Sequence, residues 1–560
     1  MDGIFRSLTA ESECVTPNAS PRPSFALGRL SQPITLKDVE AIATGLVDLN
    51  IDDAALVRAA QSERLITDLI ADNRVIYGVT TGYGPLADNQ IDPAQGSILQ
   101  RKLIYHLASG VGDPLPPVEA RAIMVARLAT LCRGLSAVRP DLLIWLRDCI
   151  NRGLAPIIPE KGTVGASGDL TPLAHMALAF MGEGRFWKDG QPHPAHDVLN
   201  QAGLAPITLH HKEGLALVNG TSAMAGIAAL NGVRARRLIR MSALLTLAYA
   251  ETLGGHRAAW HPLTAVARPH PGQRRASALL WQLSEDAPRL IPYSPLPEAI
   301  ADAFGDDGVA HDQMLPQDAY SIRCAPQLLG AVDDMLVHHD GVVEIELSSV
   351  TDNPLVFPEE DAILHAGNFF GQHVSFVSDS LSNAVTMLGV LAERQIARIT
   401  DASLNKGLPP FLQGNATGLN SGFMGAQVTA SALVAEMRAK SAPASIQSVP
   451  TNANNQDVVT MGTIAARRAR DTVTEVSRIL AIQAMCVAQA IELRQKEGGP
   501  AFSAAAIALH AYVRDQIPFL DEDRPLSDEI EMLASRLLTN HGEQYFKASS
   551  EIVSGVLEKF

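Results

Sequence analysis

The stretch GTVGASGDLTPLAH, Gly162 to His175, decides how this chain is read. It sets Ala166-Ser167-Gly168, three of the smallest residues, between a glycine-rich turn and a segment with the apolar content of a helix. Small residues at a turn give the backbone room. A serine in such a place can also serve as nucleophile, phosphate ligand or helix cap. A nucleophile elbow needs G-x-S-x-G, but Asp169 stands in the fifth place. A phosphate loop needs a Lys after its last Gly, and none follows. Capping by Ser167 or Asp169 ahead of LTPLAHMALAF satisfies the local pattern. A third chemistry fits the same residues. In a tight turn a glycine amide nitrogen can attack the carbonyl two residues earlier, and loss of water from the intervening serine leaves an exocyclic methylene conjugated to the ring. That group is an electrophile, which no ordinary side chain supplies, and it demands a tripeptide almost without side-chain bulk.

The chain has 560 residues, enough for two or three domains or one large helical assembly. Hydrophobic residues make up 47% and aromatics only 5%, so Ala and Leu supply most of the core. That balance favours close-packed helices over sheets. A net charge of −15 makes the chain a poor partner for nucleic acid or an anionic membrane. Five widely spaced cysteines (Cys14, Cys132, Cys149, Cys324, Cys486), with no C-x-x-C, read as reduced thiols of a cytoplasmic protein. The N-terminus has no signal-like apolar run, and no apolar stretch reaches the roughly 20 residues of a membrane span.

The expected organisation has three parts. Residues 1-34, with TPNASPRPS, form a flexible arm. Residues 35-220 form a loop-rich N-terminal domain that carries the glycine turns and opens on a helix capped by Thr35, with Asp38 in its first turn. Residues 221-560 form a central helical bundle and C-terminal helices. Four Pro-free stretches, at 221–253, 376–401, 423–440 and 458–495, repeat apolar residues every three or four positions. The last would run more than about 50 Å at ~1.5 Å per residue. Such lengths suggest a bundle completed by other subunits.

The chain resembles the aromatic amino acid ammonia-lyase family: histidine, phenylalanine and tyrosine ammonia-lyases and related aminomutases. Beside GTVGASGDLTPLAH, seven blocks follow in the family's order: YGVTTGYG, GLALVNGTSAM, QDAYSIRCAPQ, TDNPLVF, GNFFGQH, GLNSGFMGAQVTA and NNQDVV. The resemblance runs from about residue 35 through nearly the whole chain. It implies a mainly α fold with a long-helix bundle core, a smaller loop-rich N-terminal region carrying the prosthetic group, and a fumarase/aspartase-like homotetramer with sites where subunits meet. It also implies that Ala166, Ser167 and Gly168 cyclise to 4-methylidene-imidazol-5-one, with no external cofactor.

Further site residues follow by position. Tyr77 matches the family's catalytic base; read alone, a Tyr beside Gly is loop packing, and a phenol is a weak base at neutral pH. Asn219 matches the asparagine beside the ring and the substrate amine; read alone, it is a buried amide at a helix end. Arg323 matches the residue that grips the substrate carboxylate, a bidentate task that suits guanidinium. Gln317 and Tyr320 belong to the same block, Tyr320 with the catalytic group and Gln317 with the substrate. Leu215 and Phe369 fall at positions lining the substrate; core packing explains them equally well.

Two places speak to the substrate. His106-Leu107 occupies the ring-recognition position, where phenylalanine lyases resemble Phe-Leu, histidine lyases Ser-His and bacterial tyrosine lyases His-Leu. An imidazole can hydrogen-bond a phenol, whereas Phe offers apolar contact alone. At Gln456 histidine lyases resemble Glu, and a neutral Gln suits an uncharged aryl ring. Two departures stand out: Tyr83 where Phe is usual, leaving the dynamics of its loop open, and Asn452 where plant phenylalanine lyases resemble Glu. The pairs His338-His339-Asp340 and His210-His211 read as solvated turns, and no metal is assigned. The sequence thus predicts release of ammonia from L-tyrosine to give trans-4-coumarate. A phenylalanine or broad aryl lyase, a tyrosine 2,3-aminomutase and an inactive helical scaffold remain as alternatives.

Overall fold

The computed structural model describes residues 22–296, 317–415, 418–549, 551–558 and 560. Helices dominate. The N-terminal ones are short: α1 (Leu36–Ala43), α2 (Asp53–Ala71), α3 (Gly96–Leu107), α4 (Pro117–Leu131), α5 (Pro140–Asn151), α6 (Leu170–Phe180), α7 (Ala195–Gln201) and α8 (Glu213–Val218). From α9 (Ser222–Leu253) the elements lengthen, interrupted by α10 (Pro262–Ala267), α11 (Pro271–Leu283) and α12 (Tyr320–Arg323). Then come α13 (Ala325–Leu347), α14 (Gln372–Thr400), α15 (Met424–Ala439) and α16 (Gly462–Glu497). The four Pro-free stretches thus form α9, α14, α15 and α16. Strands occur in two-stranded ladders: β1 (Ser24–Leu27) parallel to β2 (Asp48–Ile51), and antiparallel β3 (Val111–Pro114) with β4 (Pro159–Lys161), β5 (Arg185–Lys188) with β6 (Gln191–Pro194), and β7 (Leu355–Phe357) with β8 (Ala362–Leu364).

Thr35 caps α1 as its sequence predicts. Its hydroxyl accepts the Asp38 N–H at 3.2 Å, and the Asp38 carboxylate accepts the Thr35 N–H at 2.9 Å, closing a capping box. The segment read as an arm needs correction where it can be seen. Residues 1–21 lie outside the described residues, but Ser24–Leu27 pairs with Asp48–Ile51, and Leu27 and Ile34 are 4% and 3% exposed. The apolar Phe25-Ala26-Leu27 run outweighs its Pro and Ser neighbours.

Packing divides the chain into two compact units that do not follow chain order. The first takes residues up to Val233, His338–Leu381 and Ala442–Arg470; the second takes Arg234–Val337, Ser382–Ser441 and Asp471–Phe560. The expected boundary at residue 220 is therefore not a packing boundary, because the first turns of α9, α14 and α16 belong to the first unit. In that unit α1 packs on α4, and α3, α6 and α8 pack on one another. In the second, buried Asp333 takes Arg236 at 2.8 Å and Arg275 at 2.5 Å, and Trp260 Nε1 donates to the Ile322 carbonyl at 3.0 Å.

Two further expectations change. His338-His339-Asp340 lies inside α13 and His339 is 1% exposed, because the helical period turns it inward. Among the described residues no group of three or more His, Cys, Asp or Glu is placed to hold a metal. Helices α14 and α16 are long and apolar enough to cross a bilayer, unlike the sequence expectation. Of their most apolar windows 61% and 89% are buried inside the protein, as in core helices. Cys132, Cys149, Cys324 and Cys486 are free thiols, while Cys14 lies outside the described residues.

Candidate active site

Ala166-Ser167-Gly168 forms the turn into α6, within the first unit. Ala166 and Gly168 run side by side, and Gly168 lies against Gly220. Gly168 has φ +67°, and a Cβ there would stand 2.1 Å from the Gly220 carbonyl oxygen. Only glycine fits. The Asp169 N–H donates to that same carbonyl at 2.7 Å. Thr163 Oγ1 accepts the Gly165 N–H at 3.1 Å, and Thr460 Oγ1 donates to the Gly165 carbonyl at 3.1 Å. The turn is thus compressed and fixed on both sides of Ser167.

Asp169 holds the N-cap position of α6, but its carboxylate does not cap that helix. It accepts the Met224 N–H at 2.8 Å and the Thr463 hydroxyl. Burial pushes its pKa up to about 6. The first turns of α6, α9 and α16 therefore meet at one residue, and their N–H ends bring partial positive charge beside the tripeptide.

Gln456 Nε2 donates to Ser167 Oγ at 3.3 Å. It is presented by a turn in which Asn452, Ala453 and Asn454 have φ of 52°, 55° and 62°. Asn tolerates that region, whereas Ala costs about 1–2 kcal/mol there. Thr451 and Gln456 close the turn, with Thr451 N–H to the Gln456 carbonyl at 2.9 Å and Thr451 Oγ1 donating to Gln456 Oε1 at 2.8 Å. Asn452 packs its amide against Gly84.

Tyr77 is half-buried on the loop between α2 and α3. Its Oη accepts the Gly84 N–H at 2.9 Å, and its own N–H donates to His365 Nε2 at 3.3 Å. Tyr83 meets Tyr77 edge to face, with ring centroids 6.4 Å apart. Its hydroxyl accepts Gln100 Nε2 at 3.1 Å, and burial pushes its pKa far above the ordinary phenol value, so it stays protonated. Gln100, fully buried, also donates to the Gly78 carbonyl at 2.8 Å and accepts the Leu215 N–H at 2.9 Å. One amide thus ties the loop to α3 and α8 and gives the unusual hydroxyl of Tyr83 its partner.

Asn219 ends α8. Its Nδ2 donates to the Asn353 carbonyl at 2.9 Å, while its buried Oδ1 has no partner among the described residues. Arg127, also buried, donates from Nη1 to the Asn219 and Thr351 carbonyls at 3.3 and 3.2 Å. Burial brings its pKa down to about 10, so it remains charged. Lys212 pairs with Asp352 at 2.5 Å, both side chains fully buried. Phe369 follows on the turn before α14, where Gly371 lies against Met224 and Thr221.

His106 ends α3, and its Nδ1 lies 3.2 Å from the Lys102 carbonyl. A carbonyl only accepts, so Nδ1 carries the proton and, in the neutral ring, Nε2 keeps its lone pair. Leu107 is half-buried beside it, and Leu215 is 4% exposed. The remaining predicted residues lie in the second unit. Arg323 Nη1 donates to Gln317 Oε1 at 2.5 Å, its guanidinium lies 4.8 Å from the Tyr320 ring centroid, and its Nε has no partner among the described residues.

The first unit thus brings Tyr77, Ala166-Ser167-Gly168, Leu215, Asn219, Phe369 and Gln456 into one neighbourhood with α3, whose end carries His106 and Leu107. The second unit groups Gln317, Tyr320 and Arg323. Sequence reasoning missed Gln100, Arg127 and His365, and read Asp169 as a simple cap. Gln100 and Arg127 sit in ordinary helical patterns that give no signal, but a buried Arg on the apolar α4 was a visible anomaly.

The chain is similar to known proteins in sequence and fold. Residues 34–515 match the family model described as aromatic amino acid lyase. The chain is 48% identical to a tyrosine ammonia-lyase of Cereibacter sphaeroides, over 92% of this chain and 98% of that protein. It is 40% identical to a MIO-dependent tyrosine 2,3-aminomutase of Streptomyces globisporus, over 90% and 94%. The crystal structure of a tyrosine aminomutase from Streptomyces globisporus superposes with a TM-score of 0.88 at 37% identity, over 95% of this chain and 99% of that one. This chain belongs to the aromatic amino acid lyase family.

Proposed function

We propose that the chain is a tyrosine ammonia-lyase that converts L-tyrosine to trans-4-coumarate and ammonia. The observation that carries the substrate is His106. With Nδ1–H committed to Lys102, its Nε2 is left to accept a phenol O–H. His106 is exposed in the single chain, so a substrate without that hydroxyl incurs the cost of an unpaired acceptor, about 1–3 kcal/mol, once its ring covers the imidazole and excludes water. Relatives named tyrosine ammonia-lyase support both substrate and outcome, and the one named tyrosine 2,3-aminomutase supports the substrate.

The tripeptide fits cyclisation to 4-methylidene-imidazol-5-one. Ala166 and Gly168 already lie side by side, Gly168 has no room for a side chain, and Ser167 faces Gln456. Once formed, that group supplies the electrophile that activates the amine for departure. The chain's other residues take the remaining tasks. Arg323 grips the carboxylate, a bidentate task that suits its planar guanidinium. Asn219 Oδ1, an unpaired buried acceptor, suits an amine N–H. Tyr77 Oη takes the β-proton, the electrons of that C–H bond form the new double bond, and the Gly84 N–H stabilises the oxygen. Association with further copies is supported by exposed Val337 and Ile345 on α13, Phe376 and Met387 on α14 and Val428 on α15, and the number four rests on the family resemblance. Free buried thiols support a reducing cytoplasm.

Parallel assays with L-tyrosine, L-phenylalanine and L-histidine test the reading. The highest kcat/KM on tyrosine with coumarate as product is expected. β-Tyrosine as the main product would make the chain an aminomutase, and a preference for phenylalanine would remove His106 from ring recognition.

A further inference from the structure

We propose that His175 is a positioning residue: it holds the segment that carries His106 and Leu107 onto α6, the helix that opens at the tripeptide. The proposal rests on the reading of His106 given above. His175 Nε2 accepts the Gly110 N–H at 3.0 Å. Gly110 stands three residues beyond Leu107, at the point where the chain leaves α3 for β3. A Cβ at Gly110 would lie 3.1 Å from His175 Nε2, 3.1 Å from Thr171 Cγ2 and 3.1 Å from the Lys161 carbonyl. Thr171 and His175 are four residues apart on one face of α6, so the bare glycine lies flat on that face. Just beyond, Val111 pairs with Lys161 at the end of β4, and β4 leads directly into the turn of Gly162 to Gly168. The ring-recognition segment and the tripeptide are therefore fixed to the same two elements.

The bond has a chemical condition. Gly110 donates, so Nε2 must keep its lone pair and the neutral ring must carry its proton on Nδ1. Burial lowers the His175 pKa, with the Arg185 charge adding to the effect, which keeps the ring an acceptor at neutral pH. His175 makes its bond to a backbone amide that precedes no reacting group, so it acts through His106. Loosening Gly110 displaces the end of α3 and spoils the angle at which a phenol meets His106 Nε2. The chemistry at Ser167 stays intact.

Three variants of the full-length enzyme test this. His175→Leu removes the acceptor, His175→Gln places an amide acceptor at a similar reach, and Gly110→Ala presses a methyl against the ring. Amide exchange of residues 108–112 reads the tether without reference to any reaction. It is expected to accelerate by at least about tenfold in His175→Leu and to stay near wild type in His175→Gln. The tyrosine to phenylalanine ratio of kcat/KM is expected to fall by about tenfold in His175→Leu, less in Gly110→Ala, and to be largely rescued in His175→Gln, with the near-ultraviolet band of the prosthetic group retained. An unchanged ratio in His175→Leu overturns the proposal, whether or not exchange accelerates. If that variant does not fold, an unchanged ratio in Gly110→Ala overturns it. A wild-type preference for phenylalanine would instead sink the tyrosine reading, and the exchange data would still report on the tether.

Discussion

The turn that carries Ser167 and the loop that carries Tyr77 are held in opposite ways. Around Ser167 the backbone is gripped: Gly165 is fixed by two threonines, Gly168 is pressed on Gly220, and Asp169 draws three helix starts together. The Tyr77 loop is hydrogen-bonded largely to itself: Ile76 N–H to Thr80 Oγ1, Gly78 N–H to Thr81 Oγ1, Gly82 N–H to the Asn89 carbonyl and Gly84 N–H to the Tyr77 hydroxyl. Its ties to other elements are side chains: His365 at the Tyr77 backbone, Gln100 beneath and Asn452 against Gly84. A cyclising tripeptide has to be compressed, and compression needs a rigid frame. A base has to meet a substrate that arrives from outside, and a loop whose bonds are mostly its own can shift as a unit to admit it.

The sharpest way to separate the two regions is Tyr77→Phe. It leaves the frame untouched, so the prosthetic absorbance should persist while kcat falls by about 10²–10⁴. Retention of more than about a tenth of kcat, under roughly 1.4 kcal/mol of barrier, would move the base elsewhere. Gln100→Leu attacks the loop from below. It strands the Leu215 N–H, the Gly78 carbonyl and the Tyr83 hydroxyl, and calorimetry should show a loss of about 2–4 kcal/mol with the absorbance retained. Loss of the absorbance instead would mean that loop and frame are one structure.

The frame has its own pH signature. Asp169 is raised to about 6 in the fold, above an ordinary carboxylate near 4. The folded state then binds the proton that the unfolded state has released. Its contribution to stability is present below about pH 4 and lost as pH rises through about 6, amounting to at most about 3 kcal/mol. Melting temperatures of wild type relative to Asp169→Asn should therefore decline across that window, and a flat difference would place Asp169 in a wetter setting. The smallest effect is expected at Tyr83→Phe. Gln100 keeps its bonds to Gly78 and Leu215, so stability should change by less than about 1.5 kcal/mol and kcat hardly at all.

The long helices were legible because α9, α14, α15 and α16 have Pro-free sequences with helical repeats, and the cap at Thr35 follows from Asp38 three residues on. The tripeptide was legible because bulk is excluded there and few chemistries need three tiny residues. The two packing units were not, because they join segments more than a hundred residues apart and no local pattern records that. The tethers escaped for a similar reason. Gln100, His175 and His365 act through backbone amides of other elements, and a backbone donor has no letter of its own in the sequence. Ser24–Leu27 was hidden by its Pro and Ser flanks, and His339 by lying in a run of polar residues that a helix turns inward.

The central claim is that Ala166-Ser167-Gly168 becomes the electrophile. Peptide mass spectrometry over Gly162 to His175 of the purified enzyme tests it most directly, with Ser167→Ala alongside. The wild-type peptide should be lighter than its sequence by two waters, one from ring closure on the Ala166 carbonyl and one from the Ser167 side chain; the Ser167→Ala peptide cannot lose the serine water, and that variant should fold but release no ammonia from tyrosine. A wild-type peptide at its full sequence mass, in a preparation that still releases ammonia from tyrosine, would contradict the account.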